Sequence, residues 1–205
     1  MREDRCVSVF VKICGIRDEK TAAAAVAAGA DAIGFVFAES VREVTPGEAC
    51  AAAGSIPDRV QRVAVMRHPS QAEWQSVVDE FEPDVLQTDA EDFAGIDVPD
   101  TVVRWPVLRE SSVQADARLP DVFIYEGADS GKGQTVDWSR AAELAGSGRM
   151  ILAGGLTPAN VGAAIAAVRP WGVDVSSGVE SAPGEKDERL IREFIGAVRA
   201  AERNA

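Results

Sequence analysis

The chain has 205 residues, of which 46% are hydrophobic and 26% charged, and its formal net charge is −12. The length suits one domain with a sizeable core, and we expect a single domain over residues 1–205. The acidic balance argues against binding nucleic acid, whose phosphates attract basic surfaces. No apolar run reaches the roughly 18 residues of a membrane span. The charged N-terminus lacks a signal-peptide pattern, so we expect a cytoplasmic protein.

Short β-branched runs alternate with Ala-rich amphipathic stretches along the chain. This pattern predicts strands at 7–13, 32–37, 60–66, 84–87, 101–108, 121–125, 150–152 and 172–175. A first helix follows the first strand, with Asp18 as its N-cap and Gly29 as its stop. Further helices are predicted at 46–53, 71–81, 138–144, 158–168 and 187–201, with at most a short or weak helix within 91–100 and 110–118.

Strands that alternate with helices indicate a parallel sheet. Strand–helix pairs at a spacing of about 25 residues fit the size of a barrel of eight such pairs. We therefore predict an α/β fold, a single (β/α)8 TIM barrel. A doubly wound open sheet is the alternative, but it gives no reason for the glycine-containing turns after the last two strands.

Cysteine and histidine usage limits the possible chemistry. The three cysteines, Cys6, Cys14 and Cys50, suit neither a zinc site nor a disulfide framework, and they fit a reducing compartment. His68 is the single histidine, so a histidine-based metal site or a Ser–His triad would depend on it alone. We expect no metal and a loop role for His68.

Two turns near the C-terminus predict a phosphate site. Residues 153–156 (AGGL) follow the seventh predicted strand and residues 176–180 (SSGVE) follow the eighth. These are the loops that usually bind phosphate in such barrels, because glycines allow close backbone approach and N–H groups at helix starts attract anions. We therefore predict a small phosphorylated substrate, bound through Gly154, Gly155, Ser176, Ser177 and Gly178.

Polar side chains at other strand ends are candidates for the chemistry. Cys14 ends the first strand and could act as a base if its pKa is depressed, although a buried, inert cysteine is the alternative. Lys12 shares its face by strand alternation and could stabilise a thiolate or pair with a carboxylate. Glu126, which ends the sixth strand, could be a general acid, and Arg42 could bind a substrate carboxylate. The alternative for both is a solvated loop residue.

Five stretches together resemble the phosphoribosylanthranilate isomerase family of tryptophan biosynthesis. They occur in order over nearly the whole chain and read VKICGI (11–16), AGADAIGFVFAESVR (28–42), VDW (136–138), LAGGLTPANV (152–161) and GVDVSSGVESAPGEKD (172–187). The resemblance implies an Amadori rearrangement of N-(5-phosphoribosyl)anthranilate to 1-(2-carboxyphenylamino)-1-deoxyribulose 5-phosphate without a cofactor or metal. An acid protonates the ribose ring oxygen, and a base then removes the C2′ proton.

The resemblance also implies roles for individual residues. Cys14 matches the base, and Arg42 matches the arginine that faces the anthranilate carboxylate. Gly155 and Ser177 fall in the phosphate loops. At strand four the family usually reads Val-Gln-Leu-His-Gly, whereas this chain reads LQTDA (86–90). Asp89 therefore stands in the place of the histidine, and we predict that it contacts the substrate.

The position of the general acid is a second departure. The family has an aspartate at the end of strand six, whereas this chain has Glu126, whose extra methylene changes the reach of the carboxyl by about 1.5 Å. Asp129, three residues on, is an alternative acid. The departures leave two other functions open: isomerisation of a related phosphorylated aminoaldose, or a catalytically weakened paralogue that binds a phosphorylated ligand. Either a monomer or a homodimer is compatible with the sequence.

Overall fold

A closed barrel of eight parallel strands forms the centre of the protein. The computed structural model describes residues 8–111, 113, 119–127 and 135–203. Neighbouring strands follow chain order, and the first strand closes the barrel by pairing with the eighth. This confirms the predicted TIM barrel. The strands are β1 Phe10–Cys14, β2 Ala32–Val36, β3 Gln61–Val65, β4 Val85–Asp89, β5 Val103–Arg109, β6 Val122–Glu126, β7 Arg149–Leu152 and β8 Gly172–Val175.

Six α-helices surround the barrel in the described part of the chain. Asp18 caps the first helix by accepting a hydrogen bond from the Thr21 N–H, and Gly29 ends it with a left-handed φ of 102°. Thr45 and Ser70 begin the next two helices with capping boxes, which explains why their predicted bounds match. The helices are α1 Glu19–Ala28, α2 Pro46–Ala53, α3 Gln71–Phe81, α4 Trp138–Ala145, α5 Val161–Val168 and α6 Glu188–Glu202.

Three predicted segments differ from the structure. Helix α5 begins at Val161 and not at Pro158, because Asn160 accepts a hydrogen bond from the Thr157 N–H and donates one to the Gly155 carbonyl, which holds residues 158–160 in a turn. A single 3₁₀ turn, Ala90–Ala94, follows β4. The hairpin of β9 (Glu180–Ala182) and β10 (Glu185–Lys186) precedes α6 and was not predicted. Most of 110–118, the start of the first predicted strand at Val7, and Cys6 lie outside the described residues.

Alternation along the strands fills the barrel interior. On three neighbouring strands, alternate residues face the barrel interior, and these residues are apolar at the N-terminal end and polar at the C-terminal end. They are Val85, Gln87 and Asp89 of β4, Trp105, Val107 and Arg109 of β5, and Val122, Ile124 and Glu126 of β6. The Phe10 ring stacks on Trp171 at 4.6 Å and meets Trp105 edge-on at 5.7 Å, which plugs the N-terminal end. The C-terminal end is left for a ligand.

The outer apolar layer lies between the strands and the helices. It is a single cluster of buried side chains that includes Trp74 of α3 and Phe194 of α6. No α-helix in the described ranges combines the length and the hydropathy needed to cross a membrane.

Candidate active site

One cavity at the C-terminal ends of the strands gathers most of the predicted site residues. Those that line it are Cys14, Arg42, Glu126, Gly154, Gly155, Ser176 and Ser177. Lys12, Asp89 and Gly178, which the sequence also placed in the site, do not line the cavity and surround it instead.

Cys14 stands over a buried ion pair. Lys12, two residues earlier on the same face of β1, is 0% exposed, and its Nζ lies 3.0 Å from Oδ1 of Asp174 on β8. Gly34 of β2 faces both side chains: a Cβ atom there would lie 3.0 Å from the Cys14 Sγ and 3.1 Å from the Lys12 Cε. Because Gly34 has no side chain, there is space beside β2 for the Cys14 thiol and the Lys12 ammonium group.

The protein groups around Cys14 favour its thiol form. Burial raises the pKa of Cys14 above its ordinary value, and Asp174 adds to this rise, whereas Lys12 and Lys186 oppose it. Burial opposes the charge of Lys12, but Asp174 and Cys14 outweigh it and raise the lysine pKa. The depressed cysteine pKa that a base or nucleophile was expected to need is thus absent at this position, because desolvation exceeds the effect of the nearby ammonium groups.

Arg42 is held by a second buried network that reaches the phosphate loop. Its Nε and Nη2 donate to the two carboxylate oxygens of Glu180 at 2.7 and 2.9 Å. Lys186 donates to Glu180 Oε1 at 2.6 Å, and to the Ser176 carbonyl and Oγ at 3.0 and 3.1 Å. Burial opposes the charge of Glu180, yet the bonds from Arg42 and Lys186 lower its pKa to about 2.

The two predicted phosphate turns have the backbone shape that anion binding requires. Gly154 and Gly155 are consecutive residues with positive φ, 92° and 60°, a conformation that glycine adopts without strain. Successive N–H groups in such turns form a concave site for anions. A side chain at Gly178 would overlap the backbone oxygen of Leu156. The turns after β7 and β8 therefore pack closely beside Ser176 and Ser177.

Glu126 lines the cavity beside a guanidinium group. Its Oε2 lies 3.4 Å from Arg109 Nη1 at the end of β5. Arg109 also donates from Nε to Asp89 Oδ1 at 2.8 Å, and its Nη2 forms an ion pair with the same oxygen at 2.7 Å. Asp89 thus turns toward Arg109, and His68 Nε2 lies 3.7 Å from its other oxygen. Asp129, the alternative acid, lies outside the described residues.

Comparison with known proteins shows which family the chain belongs to. Residues 11–197 match the family model described as N-(5'phosphoribosyl)anthranilate (PRA) isomerase. The N-(5'-phosphoribosyl)anthranilate isomerase of Pelobacter propionicus is 39% identical over 199 residues, which cover 91% of this chain and 94% of that protein. The chain belongs to the N-(5'-phosphoribosyl)anthranilate isomerase family.

Solved structures agree with the family in sequence and shape. The phosphoribosyl anthranilate isomerase from Thermotoga maritima is 30% identical, with a TM-score of 0.79 over 94% of this chain and 99% of that one. A phosphoribosyl anthranilate isomerase in complex with reduced 1-(o-carboxyphenylamino)-1-deoxyribulose 5-phosphate is also 30% identical, with a TM-score of 0.77 and the same coverage. The chain is thus a member of a family of isomerases built on this barrel.

Four residues of this family member's site escaped the sequence analysis. Gln87 and Arg109 line the cavity, and Glu180 and Lys186 support it. Gln87 and Arg109 continue the inward alternation of β4 and β5, so strand periodicity carried a signal for both. Glu180 and Lys186 lie in the quoted stretch 172–187, but nothing in their spacing pairs them with Arg42.

Gln87 is unusual among the cavity residues. It is 5% exposed, and its buried Oε1 accepts no hydrogen bond from the described residues. A buried acceptor without a donor costs about 1–3 kcal/mol, which a ligand with an O–H or N–H group would recover. Gln87 is therefore a candidate ligand contact.

His68, Asp89 and Asp92 form a small cluster at the rim whose ligand atoms lie within 4.8 Å of one another. Each carboxylate already has a partner, since Asp92 accepts from His68 and Asp89 accepts from Arg109. Hydrogen bonding to Asp92 raises the pKa of His68, which favours an ion pair. We assign the cluster to a structural contact between the loop after β3 and the end of β4.

Proposed function

We propose that this chain converts N-(5'-phosphoribosyl)anthranilate to 1-(2-carboxyphenylamino)-1-deoxyribulose 5-phosphate, with Glu126 as the acid and Cys14 as the base. The observation that carries the proposal is the convergence of a carboxyl group, a thiol, a guanidinium group and two glycine turns on one cavity at the C-terminal ends of the strands. Family membership supplies the substrate.

Glu126 performs the first step. With its carboxyl protonated, it donates the proton to the ribose ring oxygen while the C1′–O bond breaks, and the lone pair of the anthranilate nitrogen forms the C1′=N bond. The product is an open-chain, positively charged Schiff base with a free hydroxyl group at C4′. Arg109, 3.4 Å away, stabilises the carboxylate that Glu126 becomes.

Cys14 performs the second step. As a thiolate it removes the proton from C2′, and the electron pair moves into a C1′=C2′ bond while the nitrogen becomes neutral. Loss of the C2′ hydroxyl proton and protonation of C1′ then give the ketone, so C2′ is oxidised, C1′ is reduced and no external oxidant is needed. The cationic Schiff base favours the thiolate, which offsets the desolvation that raises the pKa of Cys14.

The two ends of the substrate are bound by different groups. Arg42, held in place by Glu180, faces the anthranilate carboxylate, and Gly154, Gly155, Ser176 and Ser177 bind the phosphate. Gln87 accepts a hydrogen bond from a ribose hydroxyl group. Lys12 and Gly178 act from behind this surface, Lys12 through Cys14 and Gly178 by close loop packing.

A catalytic thiol functions best in a reducing compartment, so we propose that the protein works in the cytoplasm and that residues 1–205 act as one domain. No cofactor or metal enters the proposed steps, because both proton transfers are made by side chains.

The test is a fluorescence assay of phosphoribosylanthranilate consumption by the wild type, Cys14→Ser and Cys50→Ser. Cys50 lies exposed on α2, so it is a matched control. We expect turnover by the wild type and by Cys50→Ser, and a loss of about 10³-fold or more in Cys14→Ser. Tight binding of the product analogue without turnover by the wild type would instead establish a binding paralogue.

A further inference from the structure

Arg109 contacts Asp89 and Glu126, two of the positions at which this chain departs from the family pattern that its sequence resembles. Asp89, Arg109 and Glu126 are the last residues of β4, β5 and β6, and Arg109 is paired in register with Glu126. All three point inward at the C-terminal end of the barrel. Asp89 replaces the histidine of the usual pattern and Glu126 replaces the aspartate, so the two departures meet on one guanidinium group.

The contacts of Arg109 show which of the two carboxylates holds it more closely. Its Nε donates to Asp89 Oδ1 at 2.8 Å and its Nη2 forms an ion pair with the same oxygen at 2.7 Å, whereas Nη1 donates to Glu126 Oε2 at 3.4 Å. Asp89 is 4% exposed and does not line the cavity. Asp89 therefore holds the guanidinium group of Arg109, and Arg109 in turn contacts Glu126, which lines the cavity.

The longer side chain of Glu126 makes such a bridge useful. Glutamate has one more rotatable bond than aspartate, and its carboxyl reaches about 1.5 Å further. A misplacement of about 1 Å at a reacting group can cost about a hundredfold in rate. A planar guanidinium group fixed at its far side restricts where that carboxyl stands.

We propose that Arg109 is a positioning residue for Glu126 and that Asp89 acts through Arg109, so that the three side chains form one unit that places the acid at the ring oxygen. This inference rests on the proposed function. It predicts that the two departures from the family pattern depend on each other and on Arg109, and that neither is a separate loss of a functional group.

The first test compares kcat and KM for phosphoribosylanthranilate in the wild type, Arg109→Gln and Arg109→Lys. We expect Arg109→Gln to lower kcat by about 10- to 100-fold with KM changed by less than about threefold, because the acid is misplaced while the carboxylate and phosphate contacts remain. Arg109→Lys retains the charge without the planar fork and should recover part of the loss. Arg104→Gln is the matched control on the same strand, since the Arg104 guanidinium group donates to the Val98 carbonyl and does not line the cavity.

The second test is a double-mutant cycle with Asp89→Asn. If Asp89 acts through Arg109, Asp89→Asn/Arg109→Gln should have the kcat of Arg109→Gln alone, within about twofold. In a Glu126→Asp background, the loss caused by Arg109→Gln should shrink, because the shorter carboxyl withdraws from the guanidinium group. Thermal unfolding of each variant shows that the fold is retained, and Asp89→Asn with Arg109→Lys carries the test if Arg109→Gln does not fold.

The outcomes separate the two proposals. Turnover by the wild type with losses that multiply across the cycle, or a kcat of Arg109→Gln within about twofold of the wild type, would overturn the positioning role and leave the isomerase intact. No turnover by the wild type would overturn the proposed function and this inference with it.

Discussion

Lys186 is the residue whose removal tests the architecture of the site most directly. An ammonium group has three protons, and the structure provides three acceptors for them: Glu180 Oε1 at 2.6 Å, the Ser176 carbonyl at 3.0 Å and the Ser176 Oγ at 3.1 Å. Lys186 therefore joins the support of Arg42 to the phosphate loop. Lys186→Met retains the length of the side chain and removes all three bonds.

The size of the effect follows from the buried charges. Glu180 has a pKa of about 2 instead of 4.5, which corresponds to about 3 kcal/mol in favour of its charged form. This stabilisation is present above pH 4.5 and is lost as the pH falls toward 2, so it is complete at neutral pH. Lys186 supplies part of it, and removing one member of a buried ion pair costs about 3–5 kcal/mol, but burial also lowers the pKa of Lys186 and so reduces the net loss. Because Arg42 remains bound to Glu180, we expect Lys186→Met to lower the free energy of unfolding by about 2–4 kcal/mol.

The functional effect should appear at the phosphate end. A hydrogen bond to a charged group contributes about 1.5–3 kcal/mol, so the loss at Ser176 should raise KM by about 10- to 100-fold. Inhibition by inorganic phosphate should weaken by a similar factor.

The assay combines urea unfolding at pH 7 with steady-state kinetics and phosphate inhibition. Lys20→Met is the control, because Lys20 also pairs with a glutamate, Glu188, but is 84% exposed. We expect Lys20→Met to leave the urea midpoint close to that of the wild type, because an exposed ion pair contributes little to stability. Equal stability of the two variants, or unchanged phosphate inhibition in Lys186→Met, would refute the role of Lys186.

Three further predictions concern the neighbourhood of Cys14. Asp174→Asn leaves the Lys12 charge buried without its partner and should lower the free energy of unfolding by about 3–5 kcal/mol in urea titration; a loss below about 1 kcal/mol would contradict the ion pair. Because the pKa of Cys14 is raised, its thiolate fraction grows with pH, so the rate at which iodoacetamide alkylates Cys14, followed by mass spectrometry, should rise through neutral pH toward 9.0, and a plateau of this rate near pH 7 would contradict the raised pKa. Gly34→Ala should lower kcat by about 10- to 100-fold by displacing the thiol, whereas Gly146→Ala, with open space around it, should not.

Much of the fold could be predicted because local signals and tertiary structure agree. The capping boxes at Thr45 and Ser70 mark the starts of α2 and α3 in the sequence, and the structure begins both helices there. Proline at 158 is equally typical of a first helical position, but the side chain of Asn160 bonds to Thr157 and Gly155 and delays α5. A single side-chain hydrogen bond of this kind produces no periodic pattern in the sequence, so the later start of α5 could not be predicted.

The site could be predicted where it depends on strand ends. Parallel strands deliver their last residues to one rim, so Cys14, Glu126 and the glycine turns converge as expected. Arg109 escaped because the predicted strand ended at Leu108, one residue short. The inward series of Trp105, Val107 and Arg109 was the available signal.

Partner choice could not be predicted, because it depends on residues far apart in sequence. The bonds from Arg42 to Glu180 and from Lys12 to Asp174 each cross more than half of the chain. The sequence suggested that Lys12 could stabilise a Cys14 thiolate. Its effect is outweighed by burial, whose extent emerges only when the barrel closes.

The negative net charge of the protein repels an anionic substrate, whereas the site must bind it. The dependence of activity on salt should show how strongly this repulsion slows association. The protein carries −12, yet its substrate bears phosphate and carboxylate groups. Among the described residues that line the cavity, the three cations Arg42, Arg67 and Arg109 are matched in number by Glu39, Glu126 and Asp174. Anion binding must therefore rest on directed N–H groups and on Arg42, against a repulsive field at long range.

Salt screens the long-range field more strongly than the short contacts, because the Debye length falls from about 30 Å at 0.01 M to about 8 Å at 0.15 M. We therefore expect kcat/KM to rise by roughly two- to tenfold over this range of sodium chloride, measured without phosphate or sulfate. A protein that attracts its substrate through a basic surface would show the opposite slope. A fall in kcat/KM across the same range would mean that an attractive field at the cavity mouth dominates association, and that backbone N–H groups are not the main source of affinity.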